Sequence, residues 1–241
     1  MNYKREKYLL LKQLHDVDLI NDFKQNNVII AGGAITSIFT NNKINDYDIY
    51  FRNINEYDYI NKLLQNKEGF KNIVSTQSAE TYKNNEKNIT IQLIKLERML
   101  FDNPEDTIKE FDYSVCMGAY DFKTDNFVFD KNFIKHNAQK RLIYNLKCKY
   151  PICALYRLKK YMRKGYEISG AELIKLALVV HKLNLKTYAD LKEQLLGIDT
   201  LMLKELTEKL ESDEYAKKEY DFDEFMHIIE EYLDRYEDIL S

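Results

Sequence analysis

The chain has 241 residues, 45% hydrophobic and 31% charged, which is enough to bury the core of one large domain or two small ones and is ordinary for a water-soluble globular protein. No stretch approaches the ~20 apolar residues that span a bilayer, Cys116, Cys148 and Cys153 are too few and too irregular for a disulfide framework or a zinc site, and Met1–Glu6 holds no secretory apolar region, so a cytoplasmic location without a membrane partner is expected. The net charge of −3 hides a basic block. From Lys131 through Tyr166 there is no Asp or Glu, while Lys131, Lys135, Lys140, Arg141, Lys147 and Lys149 lead into Arg157, Lys159, Lys160, Arg163 and Lys164. After Lys204 the balance turns acidic. A block of this kind is the electrostatic footprint of a nucleic-acid or triphosphate partner, although charge runs also serve solubility.

In chain order, apolar residues from Tyr8 to Phe23 recur at helical spacing. Val28-Ile29-Ile30-Ala31-Gly32-Gly33 then reads as a buried strand running into a backbone without side chains, where an anion can approach main-chain N–H groups. A short helix over Thr36–Phe39 follows, broken by Asn41-Asn42-Lys43. Asp46-Tyr47-Asp48-Ile49-Tyr50-Phe51 reads as a strand that puts Asp46 and Asp48 on one face and turns Tyr47 and Ile49 to the core. Two carboxylates held that close repel, and a divalent cation relieves the repulsion. A phosphate cradle beside a carboxylate pair points to metal-assisted phosphoryl or nucleotidyl transfer.

A helix is predicted over Asn55–Gln65, and strands over Asn72–Thr76, Ile89–Ile94, Phe111–Asp121 and Phe127–Phe129. Asn103-Pro104 reads as the cap and first turn of a further short helix. Beyond Pro151 the pattern is wholly helical. Gly165 ends the first helix, Ile168-Ser169 opens the next, and others run near Tyr188–Leu196, Thr200–Leu210 and Phe222–Leu240. The expected class is α+β, with a mixed twisted sheet and flanking helices over residues 1–148 and an α-helical domain over 149–241. His15, His136, His181 and His227 show no ligand spacing.

Taken together these segments resemble the polymerase-β-like nucleotidyltransferase superfamily, and within it the bacterial tRNA nucleotidyltransferase/poly(A) polymerase branch. Gly32-Gly33-Ala34-Ile35 followed by Asp46-x-Asp48 looks like that family's active-site motif. Asp112 through Asp121 is similar to its Asp-Phe-Thr-Ile-Asn-Ala-Leu-Ala-Tyr-Asp strand, and Pro151–Ile168 resembles the Arg-rich helix joining head to neck. The resemblance implies a nucleotidyltransferase using Mg²⁺ on Asp46 and Asp48, with Asp112 near the metal or the ribose. Gly32, Gly33, Thr36 and Ser37 would bind the β- and γ-phosphates, and Arg157, Lys160 and Arg163 the triphosphate or an RNA acceptor. The expected partners are an NTP and an RNA, tRNA-like at its 3′ end.

Three departures bound that expectation. Thr36 and Ser37 stand where the family has Arg-Asp, Gln92 stands in the best candidate strand for a third carboxylate, and no Glu-Asp-x-x-Arg segment is present, which argues against a CCA-adding enzyme. Two alternatives remain: nucleotidylylation of a protein or small molecule, and a non-catalytic nucleic-acid-binding or regulatory protein that kept the fold.

Overall fold

The computed structural model describes residues 3–76, 78–95, 100–195, 201–212 and 214–240, with the side chains of 201–204 and 232–240 left aside. The chain divides into two compact units, Met1–Cys148 with Gly165–Glu172, and Lys149–Lys164 with Leu173–Ser241. Among the described residues no helix is long and apolar enough to cross a membrane.

The amphipathic opening segment forms two helices rather than one, α1 (Lys4–Asp16) and α2 (Ile20–Gln25). Asp18 takes a positive φ of 51°, a left-handed conformation that no helix interior accommodates. Strand β1 (Ile29–Ala31) runs into Gly32, whose φ of 77° suits a residue without a Cβ, and α3 (Gly33–Phe39) starts at once, three residues before the expected start at Thr36. Strand β2 (Tyr47–Tyr50) follows, then α4 (Ile54–Asn66), which is capped by the Asn53 side chain accepting from the Glu56 N–H.

Strands β3 (Phe70–Ser75), β4 (Ala79–Asn84) and β5 (Ile89–Ile94) form a meander. Helix α5 (Pro104–Lys109) has Pro104 in its first turn and the Asn103 side-chain Oδ1 accepting from the Asp106 N–H. Of the predicted 111–121 strand only β6 (Gly118–Asp121) joins the sheet; Tyr113 makes an isolated bridge with Tyr144, and Ser114–Cys116 forms a single 3-10 turn. The cause is local: Asp112 Oδ1 accepts from the Tyr113 N–H and from Cys116 Sγ, which curls the chain before it can join the sheet. Strand β7 (Asn126–Phe129), helix α6 (Phe133–Ala138) and the short strand β8 (Arg141–Leu142) complete this stretch.

The seven long strands make one sheet in the order β3-β4-β5-β2-β1-β6-β7, in which only β2 and β5 run parallel. One face carries the main core, where Tyr47, Ile49, Ile91 and Leu93 pack with Leu10, Leu14 and Phe23. The other face carries a smaller cluster of Ile29, Ala31, Tyr50, Ala119 and Ile108. Phe39 meets Phe127, Phe129 and Phe133 edge-on with ring centroids 5.0–5.8 Å apart, which fixes the far end of α3.

Gly118 lies where β6 passes under α3 and α6. A Cβ there would stand 2.9 Å from the Phe133 ring and 3.0 Å from Ile35 Cγ2. Gly118→Ala is expected to lower stability by about 1–3 kcal/mol through overpacking, read as a fall in the urea midpoint at unchanged slope.

The remaining helices are α7 (Pro151–Arg163), α8 (Gly170–His181), α9 (Tyr188–Gln194), α10 (Leu201–Glu211) and α11 (Phe222–Leu240). Gly165, with φ 78°, ends α7 as its sequence predicts. Residues 165–172 then rejoin the first unit, because β9 (Glu167–Ile168) pairs in parallel with β8, and the Tyr166 hydroxyl donates to Asn137 Oδ1 at 2.6 Å. In the second unit Tyr188, Leu191, Leu206, Leu210, Phe225 and Ile228 form a core of their own, and Thr187 and Asp190 make a reciprocal capping box. Leu196 and Thr200, expected at helix ends, lie outside the described residues.

Candidate active site

The strand register brings the two sequence motifs together. Ala31 on β1 pairs with Asp48 on β2, which pairs with Gln92 on β5, which pairs with Thr81 on β4. Register partners project from the same face of a sheet, so Asp48, Gln92 and Thr81 form a row on the face opposite the main core. Asp48 is half-buried, while Tyr47 and Ile49 on either side are buried in that core. Asp46, also half-buried, stands just before β2 begins.

The two glycines border both carboxylates. A Cβ on Gly32 would sit 3.7 Å from Asp48 Oδ2 and 3.6 Å from the Phe111 ring; a Cβ on Gly33 would sit 4.0 Å from Asp46 Oδ1. The glycines therefore leave open the space that faces the carboxylate pair. Hard carboxylate oxygens suit Mg²⁺, and an added amide oxygen fits the same ligand class. Among the described residues no group of three or more His, Cys, Asp or Glu is placed to hold a metal, so any such ion would rest on these two carboxylates with neutral help.

The backbone of the cradle is already partly engaged. The Gly32 N–H donates to the Gly118 carbonyl at 3.0 Å, and the Gly32 carbonyl accepts from the Thr36 N–H at 3.0 Å. Thr36 Oγ1 donates toward the carbonyls of Val115 at 2.8 Å and Gly32 at 3.1 Å, and Thr36 is 8% exposed. Its single hydroxyl proton is thus directed at main-chain oxygens, and the bond ties α3 to the 3-10 turn 79 residues on. Ser37 is likewise buried. The N–H groups of Gly33, Ala34 and Ile35, in the first turn of α3, have no intrahelical acceptor and are the donors that the glycine turn presents.

Asp112 is 4% exposed. Its Oδ1 is held at 2.9 Å by the Tyr113 N–H and at 3.2 Å by Cys116 Sγ, and its main-chain oxygen accepts from the Asn145 N–H at 2.7 Å. Arg157, Lys160 and Arg163 stand on α7, in the second unit, whereas Gly32, Gly33, Asp46, Asp48 and Asp112 all belong to the first. Arg157 Nη2 lies 3.4 Å from the Tyr161 hydroxyl on its own helix.

Two neighbours of the site are invisible to motif reading. Phe111 borders Gly32 and packs at 5.9 Å from the Tyr50 ring, closing the cradle with an apolar wall. Thr81 comes from β4, whose polar residues give no clean strand alternation, and it accepts from Gln92 Nε2 at 3.3 Å. Only the pairing of β4 with β5 would have disclosed it.

Behind the 3-10 turn, Ser114 Oγ lies 2.7 Å from His136 Nδ1. Burial first, then the charges of Lys135 and Arg141, depress the His136 pKa below its ordinary 6.5, with Asp130 and Glu172 opposing. The unfolded chain therefore takes up the proton at higher pH than the native one. Stability should be fully present above about pH 6.5 and fall as pH drops below it toward the folded value. Urea midpoints measured against pH should show that slope in the native protein and a flatter one in His136→Gln.

Solved structures confirm the architecture. A CCA-adding enzyme in complex with CTP superposes with a TM-score of 0.56 at 14% identity, over 84% of this chain and 53% of that one. The same enzyme type with ATP gives 0.55 at 13% identity, over 84% and 52%. The Thermotoga maritima CCA-adding enzyme complexed with tRNA_CCA gives 0.50 at 13% identity, over 84% and 52%. At such identities the likeness establishes the polymerase-β-like nucleotidyltransferase fold, a mixed-sheet head followed by helices, and nothing finer. By sequence the chain is similar to "Gabija anti-defense 2" of Bacillus phage SPbetaL7, 35% identical over 219 residues, 91% of this chain and 53% of that protein. The chain thus spans about half the length of each of these relatives. The tRNA branch that the motifs resemble is matched in fold, but the sequence family is a different one. The Gabija anti-defense 2 family matches residues 2–140, the whole sheet with both site motifs, and this chain belongs to that family.

Proposed function

We propose that this protein is a Mg²⁺-dependent nucleotidyltransferase that acts in the cytoplasm of an infected cell and counters the Gabija defence by attaching a nucleoside monophosphate to one of its components. The observation that carries this reading is the meeting of Asp46 and Asp48 with the Gly32-Gly33 turn, within a fold shared with CCA-adding enzymes and a sequence family named for anti-defence. Mg²⁺ held by Asp46 and Asp48 would supply Lewis-acid polarisation of the α-phosphoryl group and lower the pKa of an acceptor hydroxyl.

The chain's own residues do the rest. The glycine turn leaves room for the triphosphate, and the N–H groups at the start of α3 donate to its oxygens. Thr36 holds α3 against the Val115 carbonyl, so those donors are fixed before the nucleotide arrives. Asp46 and Asp48 orient the reacting groups in line. The acceptor oxygen bonds to the α-phosphorus, the bond to the bridging oxygen breaks, pyrophosphate leaves with the electron pair, and the acceptor's proton passes to a carboxylate or water. Asp112, with one oxygen held inside its own turn, shapes the wall beside Phe111. Arg157, Lys160 and Arg163 would attract an anionic substrate through their charge.

A second acceptor class, the 3′ end of an RNA, is favoured by the eleven Lys and Arg between Lys131 and Lys164 with no intervening Asp or Glu. Incubation with Mg²⁺, each α-labelled NTP, the Gabija proteins and total RNA separates the readings. Label on a Gabija protein supports the first and label on RNA the second. Absence of label on any acceptor, with protection against the Gabija defence retained, overturns enzymatic action in favour of a binding role.

A further inference from the structure

We infer that Gln92, positioned by Thr81, is a third and neutral oxygen donor of the Asp46–Asp48 site, so that this site holds a single divalent cation before nucleotide arrives. The inference rests on the reading of the carboxylate pair as a metal site. Asp48 and Gln92 are register partners on parallel strands, and Gln92 and Thr81 are register partners on antiparallel ones. The three side chains therefore leave the same face at inter-strand spacing, about 4.8 Å from strand to strand. Ile91 and Leu93, each 0% exposed, lock β5 into the core, so Gln92 cannot change faces without exposing both.

The hydrogen bond gives the amide a direction. Gln92 Nε2 donates to Thr81 Oγ1 at 3.3 Å, on the β4 side of β5. With its nitrogen engaged by Thr81, the amide keeps its oxygen as the group that a cation bound beside Asp48, its register partner on β2, would meet. An amide oxygen is a hard donor of the kind that Mg²⁺, Mn²⁺ and Ca²⁺ accept, and it brings no charge. The donor set then carries a formal charge of −2, balanced by one divalent ion. A carboxylate at position 92 would add a third negative charge to the same row and favour tighter or additional cation binding, since ligand charge count tunes affinity. Thr81 is a positioning residue here: it touches the Gln92 amide and acts through it.

Binding of Mn²⁺ alone, followed by electron paramagnetic resonance with no nucleotide present, tests this without reference to turnover. The native protein is expected to bind one Mn²⁺. Gln92→Ala should weaken binding about 10-fold or more, and Thr81→Val should weaken it in the same direction, by about 10-fold, as loss of an orienting partner does. Gln92→Glu should tighten it or add a second ion. Thermal melts of each variant check that the fold is retained, and Gln92→Glu, which keeps the side-chain volume, serves if Gln92→Ala fails to fold. The inference is overturned if Asp48→Asn abolishes Mn²⁺ binding while Gln92→Ala and Thr81→Val bind as the native protein does, or if Gln92→Glu leaves both affinity and stoichiometry unchanged. If Asp48→Asn itself binds Mn²⁺ undiminished, the metal-site reading falls and this inference falls with it.

Discussion

Asp48→Asn is expected to reduce nucleotidyl transfer by about 10³-fold or more while leaving the protein folded. Replacing one of two carboxylates with an isosteric amide removes a charge from the only pair that borders the glycine turn among the described residues. Metal stabilisation of the transition state is worth several kcal/mol, and each ~1.4 kcal/mol is tenfold in rate. The fold should tolerate the change. Asp48 is half-buried on the face opposite the main core, and removing one of two neighbouring like charges relieves repulsion in the metal-free protein. Single-turnover transfer from an α-labelled NTP, with circular dichroism and thermal melting on the same sample, is the measurement. Asp46→Asn should behave alike. Transfer by both variants within a few-fold of the native rate would remove these carboxylates from the chemistry, whereas a lost melt would make the rate uninformative and shift the comparison to Asp48→Glu.

The largest stability effect is expected at the other end of the same strands. Arg52 Nη2 lies 2.8 Å from Asp121 Oδ1, with the two side chains 9% and 2% exposed. The guanidinium also donates through Nε to the Asp102 carbonyl at 3.0 Å and through Nη1 to the Asn27 carbonyl. Asp121 in turn accepts from the Lys123 N–H at 3.0 Å and from Thr124 Oγ1 at 2.9 Å. This single arginine thus joins the chain before β1, the end of β2, the approach to α5 and the end of β6. Arg52→Ala should cost about 3–5 kcal/mol, because it leaves the Asp121 carboxylate buried without its counter-charge. Against a total stability of ~5–15 kcal/mol that is a large fraction. Urea denaturation should show it as a lowered midpoint. The double variant Arg52→Met with Asp121→Asn should lose less than the sum of the single changes, since it removes the stranded charge as well as the bond. A loss below about 1 kcal/mol in Arg52→Ala would mean that water reaches Asp121 and that the pair is a surface contact.

The helix caps, the glycine turn and the carboxylate spacing are legible in the sequence because each depends on residues a few positions apart. Asn103 caps the helix that starts right after it, Gly165 ends α7, and the two-residue period of a strand sends Asp46 and Asp48 one way and Tyr47 and Ile49 the other. The class of the fold follows from the same short-range periodicities. Where local pattern misleads, a specific competing bond explains it. The apolar stripe from Tyr8 to Phe23 breaks at Asp18 because that residue turns left-handed, and the stretch from Asp112 to Cys116 curls because a carboxylate can accept from its neighbours. Strand β4 escapes notice because Thr81 and Asn84 are buried polar residues, whose place in the sheet depends on their partners across it and not on their own alternation.

Spacing along the chain puts a carboxylate pair and a glycine turn on two separate strands, and spacing alone does not bring them together. Their meeting depends on β1 lying beside β2 in the register that pairs Ala31 with Asp48. The same holds for the hydroxyl of Thr36, read from sequence as a phosphate ligand and found directed at a carbonyl 79 residues away, and for Gln92, whose direction comes from a threonine on the neighbouring strand. Short-range periodicity is written by covalent geometry, which any window of sequence contains. Strand neighbours and hydrogen-bond partners are selected by burial and by the satisfaction of polar groups between distant segments, and those terms exist only once the chain has folded.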